Sequence, residues 1–202
     1  MNTWKNMNTP NKLTIIRIVM VPIFMISLML TKVVGNEAVK VVLLLVSAVL
    51  FGGAAITDFV DGKMARKYNL VTNFGKFMDP LADKFMVIGA LIAAAYVYDN
   101  LRFWLLVTIA ITVFRELAVS GIRLVAVNAD NVVIAAAMPG KIKTFSQCIF
   151  MELVILEPLL LGKIEFFARY TPLTYVCMAV MVYYTIYSGA QYIKAYSKYI
   201  TM

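Results

Sequence analysis

The sequence predicts an all-α protein that crosses a membrane six times, with a short N-terminal element lying along the interface. Three observations carry this. Of the 202 residues 62% are hydrophobic and the mean hydropathy is +0.82, whereas a soluble domain is roughly half apolar. The apolar residues gather into six runs, at 13–30, 38–57, 85–98, 103–117, 145–162 and 172–187. None of these runs alternates apolar with polar residues, as the strands of a membrane barrel do.

Each element follows in order. The opening MNTWKNMNTPNKL carries Trp4 and Met7 beside Lys5 and Lys12, a pattern suited to the membrane interface. Run 13–30 contains Arg17 and Pro22 and ends without a small-residue cleavage site, so it reads as a retained helix rather than a signal peptide. Runs 85–98 and 103–117 are shorter than the ~20 residues that span a bilayer core and are expected to extend into their flanks. The two long polar stretches, 58–84 and 128–143, leave the membrane on one side, and the other connections are short. With no linker and no soluble insertion, residues 1–202 read as a single membrane domain. No internal repeat stands out, which argues against an inverted-repeat transporter.

Charge sets the orientation. Six spans put 14 of the 19 Lys and Arg residues on the side of the N-terminus and leave 5 on the other, so the rich side is expected to be cytoplasmic. The net charge of +8 then belongs to topology and anionic lipid headgroups. No basic, aromatic-bearing soluble face is present for nucleic acid. Cys148 and Cys177 are expected in opposite leaflets, which argues against a disulfide between them and for a packing role. Histidine is absent, so proton transfer near neutral pH must use a carboxylate, Lys, Tyr, Cys or water.

The stretch TDFVDGKMARKYNLVTNFGKFMDPLADK, residues 57–84, holds four of the chain's 11 acids, spaced 3, 18 and 4 apart. Asp58 and Asp61 share a helix face, and so do Asp79 and Asp83. The first pair closes the second span and the second pair opens the third, with KYNLVTNFGK turning the chain between them. If those helices are antiparallel neighbours, four carboxylates meet at the membrane surface. Their repulsion is costly there and calls for hard divalent cations with oxygen ligands, Mg²⁺ or Mn²⁺. Gly62 and Ala65 leave room beside the acids, and Arg66 offers a fork for a phosphate. Isolated acid pairs of this kind are more often solvated loops. Helix spacing on both sides of the turn, against apolar runs, favours a site.

Asp58, Asp61, Gly62, Ala65, Arg66, Gly75, Asp79 and Asp83, at these spacings, resemble the signature of the CDP-alcohol phosphotransferases. The resemblance implies a six-helix membrane enzyme. It implies that Asp58, Asp61 and Asp79 bind two divalent cations, that Asp83 shares one ion and acts as general base, and that Gly62, Ala65 and Arg66 line the cytidine diphosphate. It also implies a homodimer. Three further stretches, PNKLTIIRIVMVPIF, RELAVSGIRL and PGKIKTFSQ, are similar to the phosphatidylglycerophosphate synthase branch of that family, as is the filling VTNFGKFMDPLADK. The donor implied is CDP-diacylglycerol and the acceptor sn-glycerol 3-phosphate.

An acceptor carrying about two negative charges needs cations. Arg115, Arg123, Lys141 and Lys143 lie on the expected side, and each also suits a lipid-headgroup role. Asn11 and Thr14 begin the first helix at the same level, either touching the cytidine or phosphates or simply capping the helix. Arg17, a turn deeper, needs an anionic partner, either a phosphate or a carboxylate. Serine, inositol phosphate or phosphatidylglycerol are the competing acceptors. Outside the family, a prenyltransferase would need an adjacent aspartate pair and more helices, and a cation transporter would hold its acids mid-membrane.

Overall fold

The computed structural model describes residues 7–67, 72–130 and 138–196; within them, the side chains of residues 61–63, 65–67, 73, 76, 126–130 and 139 are outside the description. The described residues form helices and no strand: α1 (Thr9–Leu30), α2 (Glu37–Lys67), α3 (Asn73–Val97), α4 (Arg102–Asp130), α5 (Met138–Leu161), α6 (Glu165–Tyr170) and α7 (Pro172–Ala195). Six of them, all but α6, are long and apolar enough to cross a membrane, so the chain is a multi-pass membrane protein. As expected, the two short apolar runs extend: α3 begins well before residue 85 and α4 continues past residue 117. Of the expected interfacial segment, residues 1–6 lie outside the described residues and residues 9–13 form the start of α1. The six-residue helix α6 has no counterpart in the sequence reading; EFFARY is too short to show a helical period.

The helices divide into two compact units, Met1–Arg102 and Phe103–Met202. In the first, α1 packs against both α2 and α3. Its buried face, Val21, Phe24 and Leu28, meets Phe51 and Ala54 of α2 and the alanine-rich face of α3 around Ala90, Leu91 and Ala94. Phe24 and Phe51 stack at a tilt with centroids 5.4 Å apart. Small residues matter here because lipid drives no helix association; close packing and polar clasps must do it. A Cβ on Gly89 would come within 2.8 Å of Met25 Sδ, so a side chain there would have to displace the flexible end of Met25. Ser27 Oγ donates to the Leu43 carbonyl at 3.2 Å and lies 3.1 Å from Ser47 Oγ, clasping α1 to α2. At the far end of α1, Lys32 Nζ donates to Tyr96 O at 2.8 Å and Asp99 Oδ1 at 2.7 Å.

In the second unit α5 packs against α7 and α6. Phe150, Met151, Val154 and Ile155 of α5, with Met178 and Met181 of α7, form its apolar core. The start of α7 is held from outside. Thr171 precedes Pro172 in the left-handed region (φ 38°) and supplies no side-chain cap. Glu157 of α5 takes that role, accepting from Leu173 N at 3.0 Å, Thr174 N at 2.7 Å and Thr174 Oγ1 at 2.6 Å. A helix N-terminus in lipid has no water for its free N–H groups, so a buried carboxylate from a neighbouring helix satisfies them. Cys148 and Cys177 are both free thiols.

Candidate active site

The first unit gathers the acidic residues around the N-terminal turns of α1. Asn11, Thr14 and Arg17 are three residues apart, so they share one face, and all three are buried. Arg17 is 0% exposed; an arginine so placed in a membrane helix requires anions. It has two: Arg17 Nη1 lies 2.8 Å from Asp58 Oδ1 of α2 and 2.9 Å from Asp83 Oδ1 of α3. One guanidinium nitrogen therefore draws the acidic ends of two helices together. A turn earlier, Thr14 Oγ1 donates to Asp79 Oδ1 at 2.6 Å.

The start of α3 is tied to the same face. Thr72 caps α3 by accepting from Gly75 N at 3.0 Å, and its own hydroxyl donates to Asn11 Oδ1 at 2.9 Å. Asn11 and Thr14 thus do not cap α1, whose N-cap is Asn8; they bind α3 to it. Gly75 sits in the crook. A Cβ there would lie 3.2 Å from Asn11 Oδ1, 3.3 Å from Thr72 Oγ1 and 3.5 Å from Asp79 Oδ2, crowding the acid. The expected antiparallel meeting of acids is realised for Asp58, Asp79 and Asp83. α2 stays helical through Lys67, so Asp61, Gly62 and Ala65 follow Asp58 on one helix face. The side chains of Asp61, Ala65 and Arg66 are outside the described residues, and no grouping of three metal-ligating side chains is found among the described ones.

The second unit holds a basic cluster. Glu116 Oε1 accepts from Arg115 Nη1 at 2.8 Å and from Lys143 Nζ at 2.5 Å, linking α4 to α5. Arg115 Nη2 donates to Ser188 Oγ at 2.9 Å, and Arg123 Nη2 to Tyr192 OH at 2.8 Å, linking α4 to α7. Both guanidinium groups also lie over the Tyr192 ring, at 5.9 and 5.1 Å. Arg115 Nε and Arg123 Nε are buried and have no hydrogen-bond partner among the described residues. Of the four predicted basic residues, the structure brings Arg115, Arg123 and Lys143 together. Lys141 is exposed on another face of α5 and does not join them. Glu116, Ser188 and Tyr192 escaped the sequence reading. For Glu116 a signal existed: a carboxylate within an apolar helix implies a cationic partner. An apolar groove of about 470 Å³ runs beside Arg115 between α4 and α7, lined by Ile111, Phe114, Val119, Ile186 and Ile193.

The model of the CDP-alcohol phosphatidyltransferase family matches residues 7–188, which include the acidic cluster and all of the basic cluster except Tyr192. The chain belongs to the CDP-alcohol phosphatidyltransferase family. It is 44% identical, over 92% of its length and 93% of the relative's, to the CDP-diacylglycerol–glycerol-3-phosphate 3-phosphatidyltransferase of Bacillus subtilis. It is 34% identical to the enzyme of that name in Rickettsia felis, covering 95% of this chain and 97% of the relative. CDP-alcohol phosphatidyltransferases are generally dependent on divalent cations. The acidic cluster fits such ions. Its donors are hard carboxylate oxygens: among the described residues two carboxylates meet one guanidinium and a third, Asp79, meets only the Thr14 hydroxyl, which leaves two net negative charges. Asp58 and Asp83 are 29% and 41% exposed, so both can be reached from outside.

Proposed function

We propose that this chain transfers the phosphatidyl group of CDP-diacylglycerol to sn-glycerol 3-phosphate, giving phosphatidylglycerol phosphate and CMP. The observation that carries the reading is the gathering of Asp58, Asp79 and Asp83 by Arg17 and Thr14. The names of the B. subtilis and R. felis relatives support the choice of donor and acceptor. Both units are read as one working membrane domain, since the family match runs through both. The active side faces the cytoplasm, consistent with the 14 to 5 division of basic residues, and the working form is a homodimer.

The residues divide the work as follows. Asp58, Asp61, Asp79 and Asp83 would hold two divalent cations, Mg²⁺ or Mn²⁺, which when bound supply the positive charge that a pyrophosphate and a departing CMP require. Asn11, Thr14, Gly62, Ala65, Arg66 and Gly75 line the CDP moiety. Arg17 holds Asp83 in one position through its 2.9 Å contact. Asp83 accepts the proton of the acceptor's terminal hydroxyl as that oxygen attacks the phosphorus bonded to diacylglycerol. The bond from that phosphorus to the CMP oxygen breaks, and CMP leaves with the electron pair. Arg115, Arg123 and Lys143 bind the acceptor phosphate, and exposed Lys141 assists at its edge. Arg115 and Lys143 share the one carboxylate of Glu116 and Arg123 bonds Tyr192, so the group carries two net positive charges, matched to a phosphate monoester of about two negative charges. The unpartnered Nε groups of Arg115 and Arg123 are ready donors for its oxygens.

The test is CMP release by purified protein with CDP-diacylglycerol and a panel of alcohols. Release should depend on sn-glycerol 3-phosphate and on a divalent cation. Release driven by serine, inositol phosphate or phosphatidylglycerol instead would overturn the acceptor assignment and keep the family chemistry.

A further inference from the structure

The two helices that carry the basic cluster also hold two polar residues that the chemistry above leaves unused. Thr112 of α4 and Gln147 of α5 are each 1% exposed, in helices that are otherwise lined with apolar side chains. Thr112 Oγ1 and both amide atoms of Gln147, Oε1 and Nε2, have no hydrogen-bond partner among the described residues. Three unpartnered polar atoms in a membrane interior are costly, since each has given up water for nothing. Thr112 could have bonded back to its own helix, as Thr185 does to the Met181 carbonyl at 2.7 Å, and it does not.

Their position supplies the reason. Glu116 meets Lys143 across α4 and α5 at 2.5 Å. Successive spans run antiparallel, so one turn back along α4 and one turn onward along α5 reach the same level. Those steps of four residues lead from Glu116 to Thr112 and from Lys143 to Gln147. The unpartnered pair is therefore the next level beyond the basic cluster, about 6 Å further along the helices. A three-carbon phosphate ester held at Lys143 and Arg115 can extend its carbon chain over that distance.

We infer that Thr112 and Gln147 form a hydroxyl-reading site that binds the middle hydroxyl of the three-carbon acceptor phosphate. A secondary hydroxyl both donates and accepts. Gln147 offers one acceptor and two donor hydrogens, and Thr112 a hydroxyl that can do either. The pair thus satisfies the middle hydroxyl, and that hydroxyl satisfies the pair. Acceptors without it leave buried groups unmatched and are discriminated against, as sites built around a substrate hydroxyl do. This inference rests on the proposed acceptor and names what selects it.

The test compares sn-glycerol 3-phosphate with 3-hydroxypropyl phosphate, which keeps the phosphate and the terminal hydroxyl and lacks the middle one. The wild-type enzyme should favour glycerol 3-phosphate in kcat/KM by about tenfold or more. In Gln147→Leu and in Thr112→Val the preference should shrink toward unity, through loss of activity with glycerol 3-phosphate and not with the deoxy analogue. The analogue is the internal control, because misfolding lowers both activities alike, and the near-isosteric Thr112→Val guards against a disrupted core in the leucine variant. If both variants keep the full preference, or lose activity with both acceptors by one factor, the hydroxyl-reading site is wrong and the acceptor reading stands. If the wild type itself has no preference for glycerol 3-phosphate over the deoxy analogue, the hydroxyl-reading site is wrong, and the acceptor reading is decided separately by the panel of alcohols.

Discussion

The two polar clusters are built on opposite plans. In Met1–Arg102 one cation, Arg17, serves carboxylates from two helices; in Phe103–Met202 one carboxylate, Glu116, serves cations from two helices. Arg17 is fully buried and Glu116 partly so, and each leaves its partners in excess. The acidic cluster retains two negative charges among its described members and the basic cluster two positive ones. A single counter-charge is enough to hold like charges at membrane depth, and too little to neutralise them. In the proposed function, what remains meets ligands of opposite sign, cations in one unit and a phosphate in the other. Glu157, buried and fully used as a helix cap, is the control: a carboxylate whose partners are all backbone and threonine leaves nothing for a ligand.

Breaking the acidic plan should have the largest effects. Asp83→Asn should lower kcat by about 10³-fold or more while CDP-diacylglycerol binding persists, because a general base contributes about 10² to 10⁴ and the amide also weakens an oxygen donor. Turnover close to wild type in the purified variant would remove Asp83 from the chemistry. Arg17→Met should come next, with kcat down about 100-fold through loss of the gathered geometry. Its thermal stability should fall as well. Stripping a buried charge of its partner costs about 3–5 kcal/mol, and the partial exposure of Asp58 and Asp83 puts this case at the lower end. Added divalent cation should restore part of that stability; no response to cation would mean that the acids do not hold one. The smallest effect belongs to Glu157→Gln, which removes one of two acceptor oxygens from the start of α7. It should cost about 1–2 kcal/mol in a thermal-unfolding assay in detergent and leave kcat and both KM values unchanged. A change in either KM would give Glu157 a role beyond the fold.

Much of this was legible in the sequence, and the reasons differ by residue. The acid pairs could be placed because spacings of 3 and 4 act within one helix, where sequence distance and space agree. Arg17 could be seen to need anions, because a guanidinium in an apolar run has few other options; that its anions are Asp58 and Asp83 required the packing of α1 on two helices. The basic residues were legible as a group and not as individuals. Lys141 and Lys143 differ by two positions, which places them on different faces of α5, and a few residues of uncertainty in the helix start exchange their roles. Glu116 carried a signal, a carboxylate within an apolar helix, but its partner Lys143 lies 27 residues away on another helix and could not be named from it. Thr112 and Gln147 look like ordinary polar residues within a span, and only the absence of partners around them sets them apart.

The division of labour between the clusters is tested most directly by Lys143→Met, with both substrates varied in a CMP-release assay. Removing this cation should raise KM for sn-glycerol 3-phosphate about tenfold, the equivalent of one charge-assisted contact, and leave KM for CDP-diacylglycerol within about twofold. A KM for CDP-diacylglycerol that rises as much as that for the acceptor, or an acceptor KM that does not move, would contradict the assignment of the basic cluster to the acceptor phosphate.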